Sequence, residues 1–302
     1  MSLPSRVQII DVGPRDGLQN EKQPVPAAVK IELVHRLQAA GLTEIEVTSF
    51  VSPKWVPQMA DAAAVMAGIQ RQAGVRYSVL TPNAQGYEAA VKSQPDEIVV
   101  FGAASEAFSR KNINCSIAES IERFAPVVQA ALAAGMAVRG AMSCAVGCPY
   151  EGDVSPSSVS YLAGLMKQIG VQRVDMADTI GTGTPLKVQR ALEATLQHFD
   201  SDHICGHFHD TYGQALANTL ASLQMGIWNF QSSVAGLGGC PYAKGATGNV
   251  STEDLVYMLH GMGIPTGIDL DKLVDAGAFI SEFLGRQPNS NVAKAMLTKR
   301  AG

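Results

Sequence analysis

Eight times along this chain a short β-branched run gives way to a longer run with helical spacing. The strand windows are Val7–Val12, Glu44–Thr48, Arg76–Leu80, Glu97–Phe101, Ala137–Met142, Arg173–Ala177, His203–Phe208 and Asn229–Val234. Helical patterns follow at 27–40, closed by Gly41, and near 58–72, 83–92, 116–134, 156–169, 186–198, 212–225 and 252–262. Eight such units in about 260 residues match a (β/α)8 TIM barrel; a doubly wound sheet of this length would have fewer strands and a second domain. With no linker or low-complexity break, residues 1–302 read as one α/β domain, the barrel spanning about 7–264. A C-terminal helical extension, about 265–302 with a pattern at Leu270–Leu284, packs on the barrel or on the partner of a homodimer.

Charge and hydropathy narrow the partners. Lys and Arg number 23 against 27 acids, and no basic run is interleaved with aromatics, so a nucleic-acid partner is excluded. The most apolar stretch, Ala125–Met142, is interrupted by Gln129, Gly135 and Arg139, which argues against a membrane span. Pro4 and Arg6 stand where a signal peptide would develop its apolar run. Five cysteines, an odd number and widely scattered, read as free thiols of a cytoplasmic protein.

In this architecture chemistry sits at the carboxyl ends of the strands, and the unusual polar residues collect there. Arg15 and Asp16 follow strand one, Glu46 lies on strand two, Asp178 follows strand six, and His207 and His209 end strand seven. Strand alternation aims both imidazoles the same way and turns Phe208 outward. The pair is either mutually hydrogen-bonded or binds a metal; Asp16 and Asn249 on the same rim favour the metal. Nitrogen and oxygen donors without thiolate suit Mg²⁺ or Mn²⁺, with zinc as the alternative.

Cys240 lies in a loop with Gly236, Gly238, Gly239, Gly245 and Gly248, read as a mobile lid carrying a thiol. Neither a dinucleotide fingerprint nor a P-loop fits it, since Pro241 replaces the third glycine and no Gly-Lys-Ser/Thr follows. Cys144 and Cys148 lack the second pair of a zinc site. Asp178 is either a catalytic carboxylate or a cap for the helix near Pro185, which starts rather far away for capping; Glu46, acidic on an apolar strand, needs a buried partner such as Arg15. An arginine beside a candidate metal ligand points to an anionic substrate or intermediate.

At these residues the chain resembles the 3-hydroxy-3-methylglutaryl-CoA lyase family of metal-dependent barrels. The resemblance spans nearly the whole chain and rests on Val12-Gly-Pro-Arg15-Asp16-Gly-Leu-Gln19-Asn-Glu21, on Val47 to Met59, on His207-Phe-His209 through Asn218, and on the loop Val234 to Asn249. It implies the barrel fold and a divalent cation held by Asp16, His207, His209 and Asn249. It further implies Arg15, Asp178 and Cys240 as catalytic residues supported by Glu46, with Arg15 and Gln19 binding an acyl-CoA. Phe208 departs from the cysteine common at this place in the family.

The implied reaction breaks the C2–C3 bond of a 3-hydroxyacyl-CoA: the C3 hydroxyl loses its proton while electrons move to the thioester, giving a ketone and a thioester enolate. Asp178 is the candidate base, with His207 or a metal-activated hydroxide as alternatives. Arg15 would stabilise the enolate oxygen and Cys240 would protonate its carbon. A Schiff-base aldolase fits less well, because no lysine ends strand six or stands beside the histidine pair. A sister lyase for another 3-substituted acyl-CoA, and a non-catalytic metal-binding barrel, are the competing functions.

Overall fold

The computed structural model describes residues 3–239 and 248–302. Eight parallel strands, β1 (Gln8–Asp11), β2 (Glu44–Ser49), β3 (Arg76–Leu80), β4 (Glu97–Ala103), β5 (Ala137–Ser143), β6 (Arg173–Asp178), β7 (Ile204–Phe208) and β8 (Asn229–Ser232), close into a barrel in chain order. Ile10 of β1 shows the closure: it lies opposite Glu44 on one side and Gln231 on the other. All eight predicted strands are present.

Alternation along the strands divides two environments. Ile45, Val47, Ile98, Val100, Val138, Val174, Met176, Phe208 and Phe230 face the helices and join one continuous apolar core. The barrel interior is instead largely charged: Glu46, Glu97, Arg139 and Asp175 are buried there. Ile10, Val12 and Cys205 form a small separate apolar cluster. Branched apolar residues, the usual filling of such barrels, thus occupy only part of this one.

The helices follow the predicted pattern with differences that have local causes. The second shrinks to Ala62–Gly68, preceded by a 3-10 turn at Pro57–Met59. A helix at Glu106–Ile113 escapes the sequence pattern; Ser105 caps it and Asn114, at φ 52°, ends it. The next, Ile117–Ala133, starts from a capping box in which the Ser116 hydroxyl accepts from Glu119 N and the Glu119 carboxylate from Ser116 N. No helix among the described residues is long and apolar enough to cross a membrane.

The tail packs on its own barrel. Helix Leu270–Phe283 lies along Ala27–Ala39, where Arg36 covers the Phe279 ring at 4.4 Å and Asp269 N donates to Ala40 O at 2.8 Å. A further helix, Asn291–Ala301, begins at the Ser290 cap, and Asn289 N donates to Ala235 O at 2.8 Å. The C-terminal segment thereby holds the turn that leaves β8.

Candidate active site

Arg15 and Asp16 sit on a single π-type turn, Gly13–Gly17, closed by Gly17 N donating to Val12 O at 3.1 Å. Its glycines are required by close approach: a Cβ at Gly17 would come within 2.6 Å of the Ser233 hydroxyl, and one at Gly13 within 2.8 Å of an Asp11 oxygen. The wide turn aims Arg15 back into the barrel. There its Nε donates to Glu46 Oε1, while Nη1 donates to Asp16 Oδ1 at 2.6 Å. Burial disfavours these charges, but mutual attraction outweighs it: Arg15 holds Glu46 and Asp16 below the usual carboxylate range, aided at Glu46 by Arg139 and at Asp16 by both histidines.

The imidazoles of His207 and His209 project to the same side, with their Nε2 atoms 3.2 Å apart, as strand alternation requires. Phe208 packs the other way, against Phe230. One ligand atom from each of Asp16, His207 and His209 falls within 4.8 Å of the others. Asn249 comes onto this cluster from the end of the last loop: it pairs with His209 in an isolated antiparallel bridge and donates its amide to Asp16 Oδ2 at 2.8 Å. Burial, followed by the neighbouring His207, pushes His209 down to about 4, so it is neutral at physiological pH, as a metal-binding imidazole must be. One carboxylate, two imidazoles and a carboxamide brought together from three segments fit a small divalent cation.

Asp178 ends β6, opposite Phe208, while its neighbour Ala177 lies opposite His207. Its carboxylate accepts from Thr182 N at 3.2 Å and Gly183 N at 2.8 Å and has no solvent exposure. Burial raises its pKa to about 6, against the lowering effect of those amide bonds. The amides it holds stand ahead of the helix Pro185–Leu196, whose N-cap residue is Thr184, so Asp178 does not cap that helix. Gln19 is half-buried, just past the Arg15 turn. Cys240 lies outside the described residues. The two described ends of its loop meet at Gly238 and Gly248, where a Cβ on Gly248, at φ +90°, would stand 2.5 Å from Gly238 O.

Three features of the site went unread in the sequence. Arg139 is wholly buried at the barrel centre, donating to Glu46 at 2.7 Å, Glu97 at 2.9 Å and Asp175 at 2.5 Å. It extends the Asp16–Arg15–Glu46 chain of ion pairs downward. Gln231 Oε1 contacts His207 Nδ1. Asp11 and Glu253 bracket the turn after β8: Asp11 accepts from Val234 N at 3.0 Å and the Thr252 hydroxyl at 2.7 Å, and Glu253 accepts from Ala235 N at 2.9 Å. That turn holds Ala235 at φ 58°, a left-handed conformation costly for alanine. Charged residues alternating with apolar ones, Arg139 beside Val138 and Asp175 between Val174 and Met176, are the signal that marked the interior.

A parallel (β/α)8 barrel with an Asp–His–His cluster and a buried arginine at the carboxyl ends of its strands defines a divalent-metal type of barrel enzyme. Residues 6–280 match the HMGL-like family model. A Pseudomonas aeruginosa protein named 3-hydroxy-3-isohexenylglutaryl-CoA/hydroxy-methylglutaryl-CoA lyase is 57% identical, covering 99% of this chain and 100% of its own. The human mitochondrial hydroxymethylglutaryl-CoA lyase is 56% identical, over 97% of this chain and 90% of that protein. A crystal structure of hydroxymethylglutaryl-CoA lyase from Pseudomonas aeruginosa superposes with a TM-score of 0.97, covering 99% of this chain and 100% of that one at 57% identity. An HMG-CoA lyase from Acinetobacter baumannii, solved with coenzyme A and 3-methylmalate, is 36% identical with a TM-score of 0.93, over 98% of this chain and 97% of that one. The chain belongs to the HMGL-like family.

Proposed function

We propose that the protein is a divalent-metal-dependent carbon–carbon lyase that cleaves 3-hydroxy-3-methylglutaryl-CoA to acetoacetate and acetyl-CoA. The observation that carries the reading is the convergence of Arg15, Asp16, His207 and His209 at one end of the barrel, in a chain with lyase relatives along its whole length.

Asp16, His207, His209 and Asn249 would hold the cation. Bound there, Mg²⁺ or Mn²⁺ supplies Lewis acidity that lowers the pKa of the substrate's C3 hydroxyl. Arg15 is fixed by Glu46 and Asp16 before substrate arrives, so its charge needs no reorganisation when the enolate forms. Glu46 is a positioning residue, holding Arg15 with one oxygen and Arg139 with the other. Asp178, whose carboxylate also accepts from the Thr182 and Gly183 amides, would take the proton lost by the C3 hydroxyl; burial raises its pKa to about 6, within reach of neutral pH. Cys240 would return a proton to the enolate carbon, an ordinary thiol being mostly protonated at neutral pH. Gln19 would contact the acyl-CoA.

A second reading is that longer 3-substituents are also accepted. The Pseudomonas relative named for both substrates fits that breadth.

The test is a coupled assay of acetyl-CoA release from both acyl-CoA esters, before and after chelation and after adding back Mg²⁺ or Mn²⁺. Release that stops on chelation and returns with metal is expected. No release, or release indifferent to the chelator in a demonstrably metal-free protein, would overturn the reading.

A further inference from the structure

Gln231 stands on β8 directly opposite His207 of β7 and is 3% exposed. Its carboxamide has one hydrogen-bonding partner on its oxygen side, the Nδ1 of His207, while among the described residues its buried Nε2 has none. An amide nitrogen buried without a partner is destabilising. No second bond inside the barrel explains why a glutamine stands here; the contact with His207 does.

The imidazole on the other side of that contact has two nitrogens with different duties. Nε2 faces His209 Nε2 and the Asp16 carboxylate. A nitrogen that binds a cation must present a lone pair, so the ring proton belongs on Nδ1. Nδ1–H needs an acceptor, and the Gln231 carbonyl oxygen supplies it. The opposite orientation of the carboxamide would donate to Nδ1 and place a proton on Nε2, in the centre of the ligand cluster. His209 has no such companion: its Nδ1 is buried without a side-chain partner among the described residues.

We propose that Gln231 is a positioning residue that holds His207 in the Nδ1–H tautomer, so that Nε2 meets the cation with its lone pair already aimed. The inference rests on the metal reading above and deepens it. It concerns the resting protein, before metal or substrate is present. Using a neutral amide where metal-binding histidines elsewhere meet a carboxylate, the site fixes the ring without adding another negative charge beside Asp16 and Glu46.

The experiment uses ¹⁵N-histidine-labelled full-length protein without metal, with His207 assigned from the His207→Asn variant, alongside calorimetric titration with Mn²⁺. The expected wild-type result is a single Nδ1–H tautomer at His207. Gln231→Met, which removes the acceptor, should show mixed tautomers and bind Mn²⁺ about 10- to 100-fold more weakly. Gln231→Glu keeps an acceptor and should retain both the tautomer and most of the affinity. An Nε2–H tautomer in the wild type, or unchanged tautomer and affinity in Gln231→Met, would overturn the proposal. Should Gln231→Met fail to fold, the wild-type spectrum and Gln231→Glu decide alone. Failure of the wild type to bind Mn²⁺ at all would sink the metal reading, and is distinguished from failure here because the tautomer is read without metal.

Discussion

His209 and Asn249 meet in a lone antiparallel bridge, 40 residues apart in sequence yet paired through their backbones just beyond the last two barrel strands. The bridge fixes where the segment after the cysteine loop returns, and it sets the Asn249 side chain on Asp16. Because the bridge is made by backbone, Asn249→Ala should leave it in place while removing one donor. We expect Mn²⁺ affinity to fall at least about tenfold, with little change in the circular dichroism melting curve. Unaltered affinity would remove Asn249 from the ligand set.

The charge of Arg15 should count more in the transition state than in the bound substrate, since the enolate oxygen becomes negative only during cleavage. Arg15→Met should therefore lose about 10²–10³ in kcat with a much smaller change in KM. Arg139→Lys tests the layer below: a single ammonium cannot bond three carboxylates in the fixed planar geometry that the guanidinium provides. A drop in kcat with KM retained would report Arg15 displaced through Glu46. Equal losses in kcat/KM and in folded fraction would report only a damaged barrel.

For Cys240 the informative replacement is serine, whose hydroxyl is far less acidic. Loss of a general acid typically lowers rate by about 10²–10⁴, so Cys240→Ser should fall within that range while binding metal and substrate normally. Near-normal turnover, or an acyl-enzyme trapped on the thiol, would contradict the role.

Asp178→Asn separates a base from a holder of backbone. Asparagine keeps one acceptor oxygen for the Thr182 and Gly183 amides but cannot take a proton. As the base, Asp178 should lose about 10²–10⁴ in kcat on this change; a loss of less than about tenfold would show that it only holds the backbone.

Glu253 gives a pH dependence that can be isolated. Burial raises its pKa from 4.5 to about 8, against the amide hydrogen bonds that favour its charge. Because the folded value lies above the unfolded one, its stabilising contribution is complete below about pH 4.5 and is lost as pH rises through about 8. Glu253→Gln cannot ionise. Its Tm, measured relative to wild type, should therefore climb across that window and level off above it; a flat difference would mean that the carboxyl titrates normally.

Much of this could be read from the chain because the barrel separates its two periodicities cleanly. The outward face of each strand is apolar, so alternation located the strands, and ordinary strand geometry then placed His207 and His209 side by side. Arg139 was harder to interpret: in sequence it interrupts an apolar run, and only closure of the barrel surrounds it with Glu46, Glu97 and Asp175 from three other strands. Gln231 was silent for a similar reason, as its partner lies on the neighbouring strand and glutamine carries no charge to draw attention. For Asp178 the sequence shows only which end of the barrel it occupies; that its carboxylate also holds the Thr182 and Gly183 amides emerges only from the path of the chain after β6.

Closure of the ring through Ile10, Gln231 and Glu44 also has a meaning for how the molecule is made. Until the ribosome has delivered β8, β1 has a neighbour on only one side and β7 exposes its other edge, so the growing chain carries two unsatisfied parallel edges. Pairing across more than two hundred residues must then complete both the sheet and the metal cluster together. Nascent chains ending before Asn229 are consequently the forms with the greatest need of a chaperone, and a lesion that delays β8 would show first as aggregation during synthesis, ahead of any deficit in the finished catalyst.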